Sequence, residues 1–402
     1  MSDSLLFGVT VLDLTQGVSG PYAAKLMADY GAAVIKVERP GAGDVMRRAG
    51  PFPGDLPHLE KSGSFLYLNT NKRGLTLNLA TVSGQRILRA LAAKADILIE
   101  SSHPGEMESW GLGYDALRSI NPSLVMASVS NFGQTGPYRD YEMTEIIAYA
   151  TGVSMHCTGV PDREPLKLGG SAALMQAGNL AAAVIIGAWF GVAATGEGEY
   201  IDYSLMESQA ATVDRNGACL MAVSYSGEPT FRRVFSRRFN VLPFGAYPCA
   251  DGYAHFTGAQ AAWWPNFCDV VGLPEWKTDP RFIGPNFSNV ENAEIVDEGF
   301  LPWILSKTKH EVMVECEGFA GTPINTMEDI VHDPHFRQRG FFVAINHPVA
   351  GSFEYPGAQF NPAKAPWRAG RAPLLGEHTE AILRELGYSR QDLVKLTQAG
   401  VI

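Results

Sequence analysis

Cysteine is scarce in this chain. There are five in 402 residues (Cys157, Cys219, Cys249, Cys268 and Cys316), an odd number with no CxxC pair among them. That excludes a disulfide framework and a zinc ribbon, and it is the pattern of free thiols in a reducing cytoplasm. Basic charge is also short, with 32 Lys and Arg against 42 Asp and Glu, a net charge of -10 and no basic run. A nucleic-acid surface is thereby excluded. Met1-Ser-Asp-Ser-Leu has no basic region leading into an apolar core, so no secretory signal is expected. The longest apolar stretch, Ala181 to Ala194, is interrupted by Gly187 and Gly191 and falls short of the ~20 residues of a membrane span. It reads as a buried helix, with no membrane partner expected. His332 and His335 are separated by Pro334, which breaks the helix that would put them on one face. No metal site is expected there. Finally, Gln16-Gly-Val-Ser-Gly20 lacks the GxGxxG fingerprint after the first strand, so NAD is not expected as a cofactor.

What the chain does contain is an ordinary globular composition, 46% apolar and 18% charged. Its length suits two domains, or one large domain with an insertion. The first forty residues alternate as βαβ. Thr10–Leu14 reads as a buried strand and Gly17 to Gly20 as a turn. Pro21 stands at the first position of a helix over Tyr22–Tyr30, Gly31 ends that helix, and Ala33–Glu38 is the next strand. A second unit repeats the pattern. It has a helix over Val82–Ala95, a strand over Asp96–Glu100, a short helix near Tyr114–Ile120 and a strand over Leu124–Val129. Such alternation predicts an α/β fold with a parallel sheet and right-handed crossovers.

From about Ser226 the texture changes. Arg232-Arg233 and Arg237-Arg238 lie in a polar stretch, followed by a hairpin-type turn at Asp251-Gly252 and by Trp263-Trp264. Residues 226–325 therefore read as a smaller domain after a large one over 1–225. Residues 326–402 read as a return to the large domain, through a strand-rich segment Phe341–Tyr355 and a helix Glu377–Leu386.

Many short motifs follow one another in order along nearly the whole chain. They include Gly20-Pro-Tyr-Ala-Ala, Ala28-Asp-Tyr-Gly-Ala-Ala-Val-Ile-Lys-Val-Glu-Arg-Pro40, Asn71-Lys-Arg, Gly111-Leu-Gly-Tyr114, Ser128-Val-Ser-Asn-Phe-Gly-Gln-Thr-Gly-Pro-Tyr-Arg139, Ile201-Asp-Tyr-Ser-Leu205 and Ala372-Pro-Leu-Leu-Gly-Glu-His-Thr379. In this the chain resembles the class III CoA-transferases, the family of carnitine and formyl-CoA transferases and acyl-CoA racemases. The resemblance implies a Rossmann-like large domain with a smaller α+β domain, in an interlocked dimer with active sites between chains. It implies a reaction that moves CoA from an acyl-CoA to a carboxylic acid through an aspartate that is itself acylated. CoA and acyl-CoA are then substrates, and no covalently bound cofactor is expected.

The resemblance also assigns residues, and there the chain departs from it. The nucleophilic aspartate of the family falls four residues before Gly178, where this chain has Leu174. Leucine has no atom to acylate. Glu145 is the candidate acid in its place, because the family carries an acid there that assists catalysis in some relatives. The alternative is that Glu145 merely stabilises a helix start. The histidine that accompanies it in racemases is missing. Arg39 matches a position that binds the nucleotide end of CoA, and Ser19 and Leu77 match positions lining the CoA cleft. Ser101 stands for an asparagine and Ser102 for an aromatic ring, so a stacking surface is lost. The glycines of Gly169-Gly170-Ser171 shape an oxyanion-type loop or simply keep the turn. The expectation is a non-catalytic subunit of a heteromeric CoA-transferase, paired with a homologous chain that supplies the aspartate in a heterodimer or heterotetramer. Its rivals are a homodimeric acyl-CoA enzyme using Glu145, and a binding or structural protein without chemistry.

Overall fold

The computed structural model describes the chain except residues 1–3, 160–162, 213, 228–241, 260–261, 284–291, 317–320, 366 and 368–369. The two arginine pairs at 232–233 and 237–238 lie outside the described residues. Six parallel strands form the main sheet: β1 (Thr10–Leu14), β2 (Ala33–Glu38), β3 (Arg73–Thr76), β4 (Ile97–Glu100), β5 (Val125–Ser130) and β6 (Tyr200–Ser204). Their order is β3-β2-β1-β4-β5-β6. The chain builds outward from β1 in one direction, then crosses over to β4 and builds outward in the other. The reversal lies between β1 and β4, which pair directly from Val11–Ile97 to Leu14–Glu100.

Period-two alternation divides the strand side chains between two buried layers. Val11, Val34, Ile97, Ile99, Val125 and Ala127 face one way, onto α1 (Ser19–Asp29) and the later helix that begins at Ala172. Leu12, Ile35, Val37, Leu98 and Met126 face the other way. The chain continues through α2 (Gly63–Leu68), α3 (Val82–Ala92), α4 (Glu106–Ser109), α5 (Tyr114–Arg118) and α6 (Glu145–Thr151). Strands β1 and β2 fall where the alternation predicts them. Helix α1 begins earlier, at Ser19, because the Tyr22 N–H already donates to the Val18 carbonyl at 2.9 Å. Pro21 then sits at the third helical position, where a missing N–H still costs nothing because the first turn has no internal acceptor.

Helix α7 (Ala172–Thr195) corrects the reading of a short buried helix. It is continuous over 24 residues, and among the described residues it is the helix long and apolar enough to cross a membrane by length and composition. Its first half instead packs into the α/β layers through Ala173, Ala177, Gly178, Ala181, Ala182 and Ile185. Only that face is buried, and Phe190 toward the far end is 75% exposed. Small residues make the close packing possible. A Cβ on Gly178 would stand 2.6 Å from the Ser19 carbonyl oxygen, so the crossing of α1 and α7 depends on its absence. Helix α8 (Leu205–Thr212) follows β6.

The described chain divides into two compact units. One comprises Met1–Ser154, Lys167–Gly217 and Gly340–Ile402, the other Met155–Leu166 and Ala218–Arg339. The second unit thus takes in residues 326–339 and a short excursion from the first, beyond the 226–325 span read from texture. It begins within α9 (Asp214–Ser226) and has an antiparallel sheet of β7 (Leu242–Cys249), β8 (Gly252–Ala259) and β9 (Gly321–Pro323). The turn between β7 and β8 falls at Ala250-Asp251, one residue before the expected Asp251-Gly252, because Gly252 already pairs with Cys249 as the first residue of β8. Against that sheet pack α10 (Trp264–Val270), α11 (Ala293–Leu305) and α12 (Lys309–Glu315), around Trp264, Phe267, Trp276 and Phe300. Pro334 does separate His332, at the end of α13 (Met327–His332), from His335 in α14 (Pro334–Gln338). In the first unit a hairpin of β10 (Phe342–His347) and β11 (Gly351–Pro356) precedes the closing helices α15 (Thr379–Glu385) and α16 (Arg390–Gln398).

Candidate functional site

Strand order and chemistry meet at the carboxyl ends of the six strands. A cleft of about 520 Å³ opens there, lined by residues that follow every strand of the sheet. Gln16 to Gly20 come after β1, Arg39 and Val45 after β2, Leu77 to Ala80 after β3, and Ser101 to Pro104 after β4. Asn131 follows β5 and Leu205 follows β6. A ligand site at the carboxyl edge, where the strand order reverses, is the general expectation for an open α/β sheet.

A buried set of charges holds the floor of this cleft. Lys36 and Lys72 are buried, and so are Asp13 and Asp44. The Lys72 ammonium donates to Asp13 Oδ2 at 2.8 Å, to the Pro21 carbonyl at 2.8 Å and to Asn69 Oδ1 at 2.9 Å. The Lys36 ammonium donates to Asp44 Oδ2 at 2.8 Å and to the Thr15 carbonyl. Asp44 Oδ1 in turn accepts the Gly17 N–H at 3.1 Å. The β1–α1 loop that lines the cleft is therefore anchored from beneath by ions. Burial pulls the Lys72 ammonium down to about 8, against the opposing pull of Asp13. For Asp13, burial alone would raise the pKa, but the charges of Lys36 and Lys72 prevail and hold it below the usual carboxylate range. Lys36 moves upward despite burial, because it faces both Asp13 and Asp44.

Most residues singled out in the sequence converge on this cleft, and Glu145 and Gly169-Gly170-Ser171 do not. Ser19, Arg39, Leu77, Ser101, Ser102 and Leu174 all line it. Ser19 is buried and its Oγ donates to the Leu174 carbonyl at 2.8 Å. Arg39 is exposed, and its guanidinium has no carboxylate partner among the described residues. Ser101 Oγ accepts the Gln16 N–H at 2.9 Å, which ties the loops after β1 and β4 across the strand reversal. Glu145 opens α6, and its carboxylate accepts the N–H groups of Ala173 at 3.0 Å and Leu174 at 3.2 Å, with the Lys167 ammonium 3.8 Å away. It thus caps the start of α7 from behind and is not among the cleft-lining residues. In Gly169-Gly170-Ser171, the Gly170 carbonyl accepts from the Lys167 ammonium at 2.7 Å.

Sequence reasoning missed an aromatic wall. Tyr141 lines the cleft and stacks on Tyr138 with ring centroids 5.4 Å apart, and Phe132 stands edge-on to both. Trp110 lines the cleft as well. The loop bearing Tyr141 is fastened to the loop after β4 by Arg139, whose Nη2 donates to the Pro104 carbonyl at 3.0 Å. The recurrence of rings at 132, 138 and 141 was the available signal.

Comparison with known proteins agrees with this geometry. The family model described as CoA-transferase family III matches residues 6–379. Formyl-CoA:oxalate CoA-transferase of Rhodopseudomonas palustris (strain BisB18) is 31% identical, with 99% of this chain and 97% of that protein covered. Human succinyl-CoA:glutarate CoA-transferase is also 31% identical, over 99% of this chain and 90% of the relative. Succinyl-CoA–D-citramalate CoA-transferase of Chloroflexus aurantiacus is 33% identical, over 98% and 97%. Among solved structures, a CAIB/BAIF family protein from Brucella suis superposes with a TM-score of 0.84 at 28% identity, covering 96% of this chain and all of that one.

Proposed function

Since this chain belongs to CoA-transferase family III, we propose that it is the subunit of a heteromeric CoA-transferase that lacks the nucleophile. A homologous partner then supplies the acylated aspartate in an interlocked assembly, a heterodimer or heterotetramer working in the cytoplasm. The three relatives compared above are named for the transfer of CoA between an acyl-CoA and an acid. We assign the same substrate classes to the assembly. The cleft at the carboxyl edge is the place for CoA. Arg39 meets its phosphates with a guanidinium that has no carboxylate partner among the described residues, and Ser19, Leu77 and Ser101 form the walls.

The observation that carries this reading is the setting of Leu174. Its carbonyl is fixed by Ser19 and its N–H by Glu145, and it lines the cleft with a side chain that cannot form an ester or an anhydride, at the position that the motif resemblance gives to the family's aspartate. The purified chain alone should show no CoA transfer and no acyl adduct trappable by hydroxylamine or borohydride. Co-expression with an aspartate-bearing homologue should give a stable complex that turns over. Interfaces of interlocked chains exceed ~2,000 Å² and are inseparable from folding, so co-purification reads the pairing directly. A covalent adduct on the lone chain, or a lone homodimer with ordinary turnover, overturns the assignment.

A second reading makes Glu145 the reacting acid, and its proximity to Leu174 favours it. Against that, both carboxylate oxygens already accept backbone N–H groups, which suits a helix cap better than a nucleophile. Glu145→Gln in the complex separates the two. A capping role leaves turnover little changed, whereas proton transfer or direct attack predicts a loss of ~100-fold or more.

A further inference from the structure

A second cavity, of about 490 Å³, lies on the far side of the turn that begins α7. Val18 borders both cavities, and adjacent residues of α7 divide between them, Leu174 lining the cleft and Met175 this second space. Helix α2 contributes Leu66, Tyr67 and Leu68, two of them buried. Strand β11 gives the opposing wall through Phe353 and Tyr355, and the segment after Met46 adds Phe52 between two prolines. The lining is mostly rings and aliphatic chains, with Ser64, Ser171 and Glu354 among its polar members. Lys61 contributes its cationic side chain, which makes no ion pair among the described residues.

We infer that this cavity receives the apolar substituent, a phenyl or branched alkyl group, of the carboxylic acid or acyl thioester handled by the assembly. This rests on the reading of the neighbouring cleft as a CoA site, and it names the class of acid that site serves. The volume falls within the range of small-molecule pockets, roughly 300–1,000 Å³, and exceeds what a one- or two-carbon acid needs. Flat walls from Phe52, Tyr67, Phe353 and the adjoining prolines suit a flat or branched group. The position also fits, because Val18 lines both spaces and the adjacent residues Leu174 and Met175 line one each.

The test uses the intact purified protein in its native assembly, titrated calorimetrically with 3-phenylpropionate, with acetate and separately with CoA. Phenylpropionate should bind about tenfold or more tighter than acetate, the range a hydrophobic pocket gains from a few added carbons. Ser64→Trp, at a half-buried lining position, should fill the space and weaken phenylpropionate by about tenfold, while CoA stays within about twofold. Phe353→Ala removes an exposed ring without crowding the core, and should weaken phenylpropionate even if Ser64→Trp fails to fold. Equal affinity for acetate and phenylpropionate, or phenylpropionate binding untouched by both variants, overturns the inference. So does a well-folded Ser64→Trp chain that no longer assembles, since a partner's side chains would then be the occupant. Failure of CoA itself to bind would sink the reading of the cleft, and the acid titrations would still decide the cavity.

Discussion

Replacing Asp13 by asparagine removes one charge from the floor of the cleft while nearly keeping its shape. Asp13 and its two lysine neighbours have fully buried side chains, with Lys72 at 2.8 Å and Lys36 at 3.9 Å from Oδ2. Asp13 and Asp44 balance Lys36 and Lys72 there, so the substitution leaves one ammonium without a counter-charge. Breaking a buried pair from one side costs about 3–5 kcal/mol. That is a large part of the roughly 5–15 kcal/mol that keeps a domain folded. Lysine has an outlet, however. Lys72 already lies near 8 through burial even with Asp13 beside it, and it loses its proton more readily once that carboxylate is gone. A lysine whose folded pKa lies below its unfolded value of 10.5 binds fewer protons when folded, so stability rises with pH between the two values. The loss caused by D13N should therefore be largest near about pH 6 and shrink toward about pH 9. Urea unfolding of wild type, D13N and D13N combined with Lys72→Met reads this directly. The double variant should recover much of the loss, because it removes the orphaned ammonium. A loss below about 1 kcal/mol, the size of an exposed pair, refutes the reasoning. So does a loss that is the same at every pH, or one that Lys72→Met leaves unrelieved.

Gly178→Val should force α1 away from α7, since even a Cβ stands 2.6 Å from the Ser19 carbonyl oxygen. A stability loss of about 1–3 kcal/mol by urea unfolding, with weakened CoA binding, is expected. Ser102→Tyr should restore a ring to the cleft wall and tighten CoA by about tenfold in calorimetry, stacking on a base being worth ~1–3 kcal/mol. Unchanged affinity would mean that the base lies elsewhere. Glu377 is held down to about 2, chiefly by its hydrogen bonds from Arg371. The stability it adds is present above its ordinary value of 4.5 and is lost as pH falls toward 2. Glu377→Gln should flatten the melting temperature over that window, by no more than about 1 kcal/mol because the pair is solvent-screened.

The parallel sheet was legible because β1, β2, β4 and β5 are short apolar runs separated by helical spacing, and buried parallel strands announce themselves in that way. The convergence of Ser19, Arg39, Leu77 and Ser101 on one cleft came from ordered motifs, each of them falling just after a strand or at a helix start. Three features escaped. The full length of α7 was hidden because Gly178, Gly187 and Gly191 interrupt the apolar pattern, yet packing on α1 tolerates and partly requires small residues. The anchoring role of Lys36 and Lys72 was hidden because a lysine inside a strand or a turn gives no sign of its partner, which lies 8 residues away for Lys36 and 59 for Lys72. The second cavity was hidden because its walls come from α2, β11 and α7, segments that only the tertiary fold brings together.

The second half of α7 carries no charged side chain and presents Phe190 to water. For a newly made polypeptide, such a surface governs its fate before it governs any reaction. Until another protein surface covers it, the chain is a client for chaperones and a target for proteases, which recognise exposed apolar helix. Under that constraint selection acts on whatever covers this half of α7 as strongly as on any side chain in the cleft.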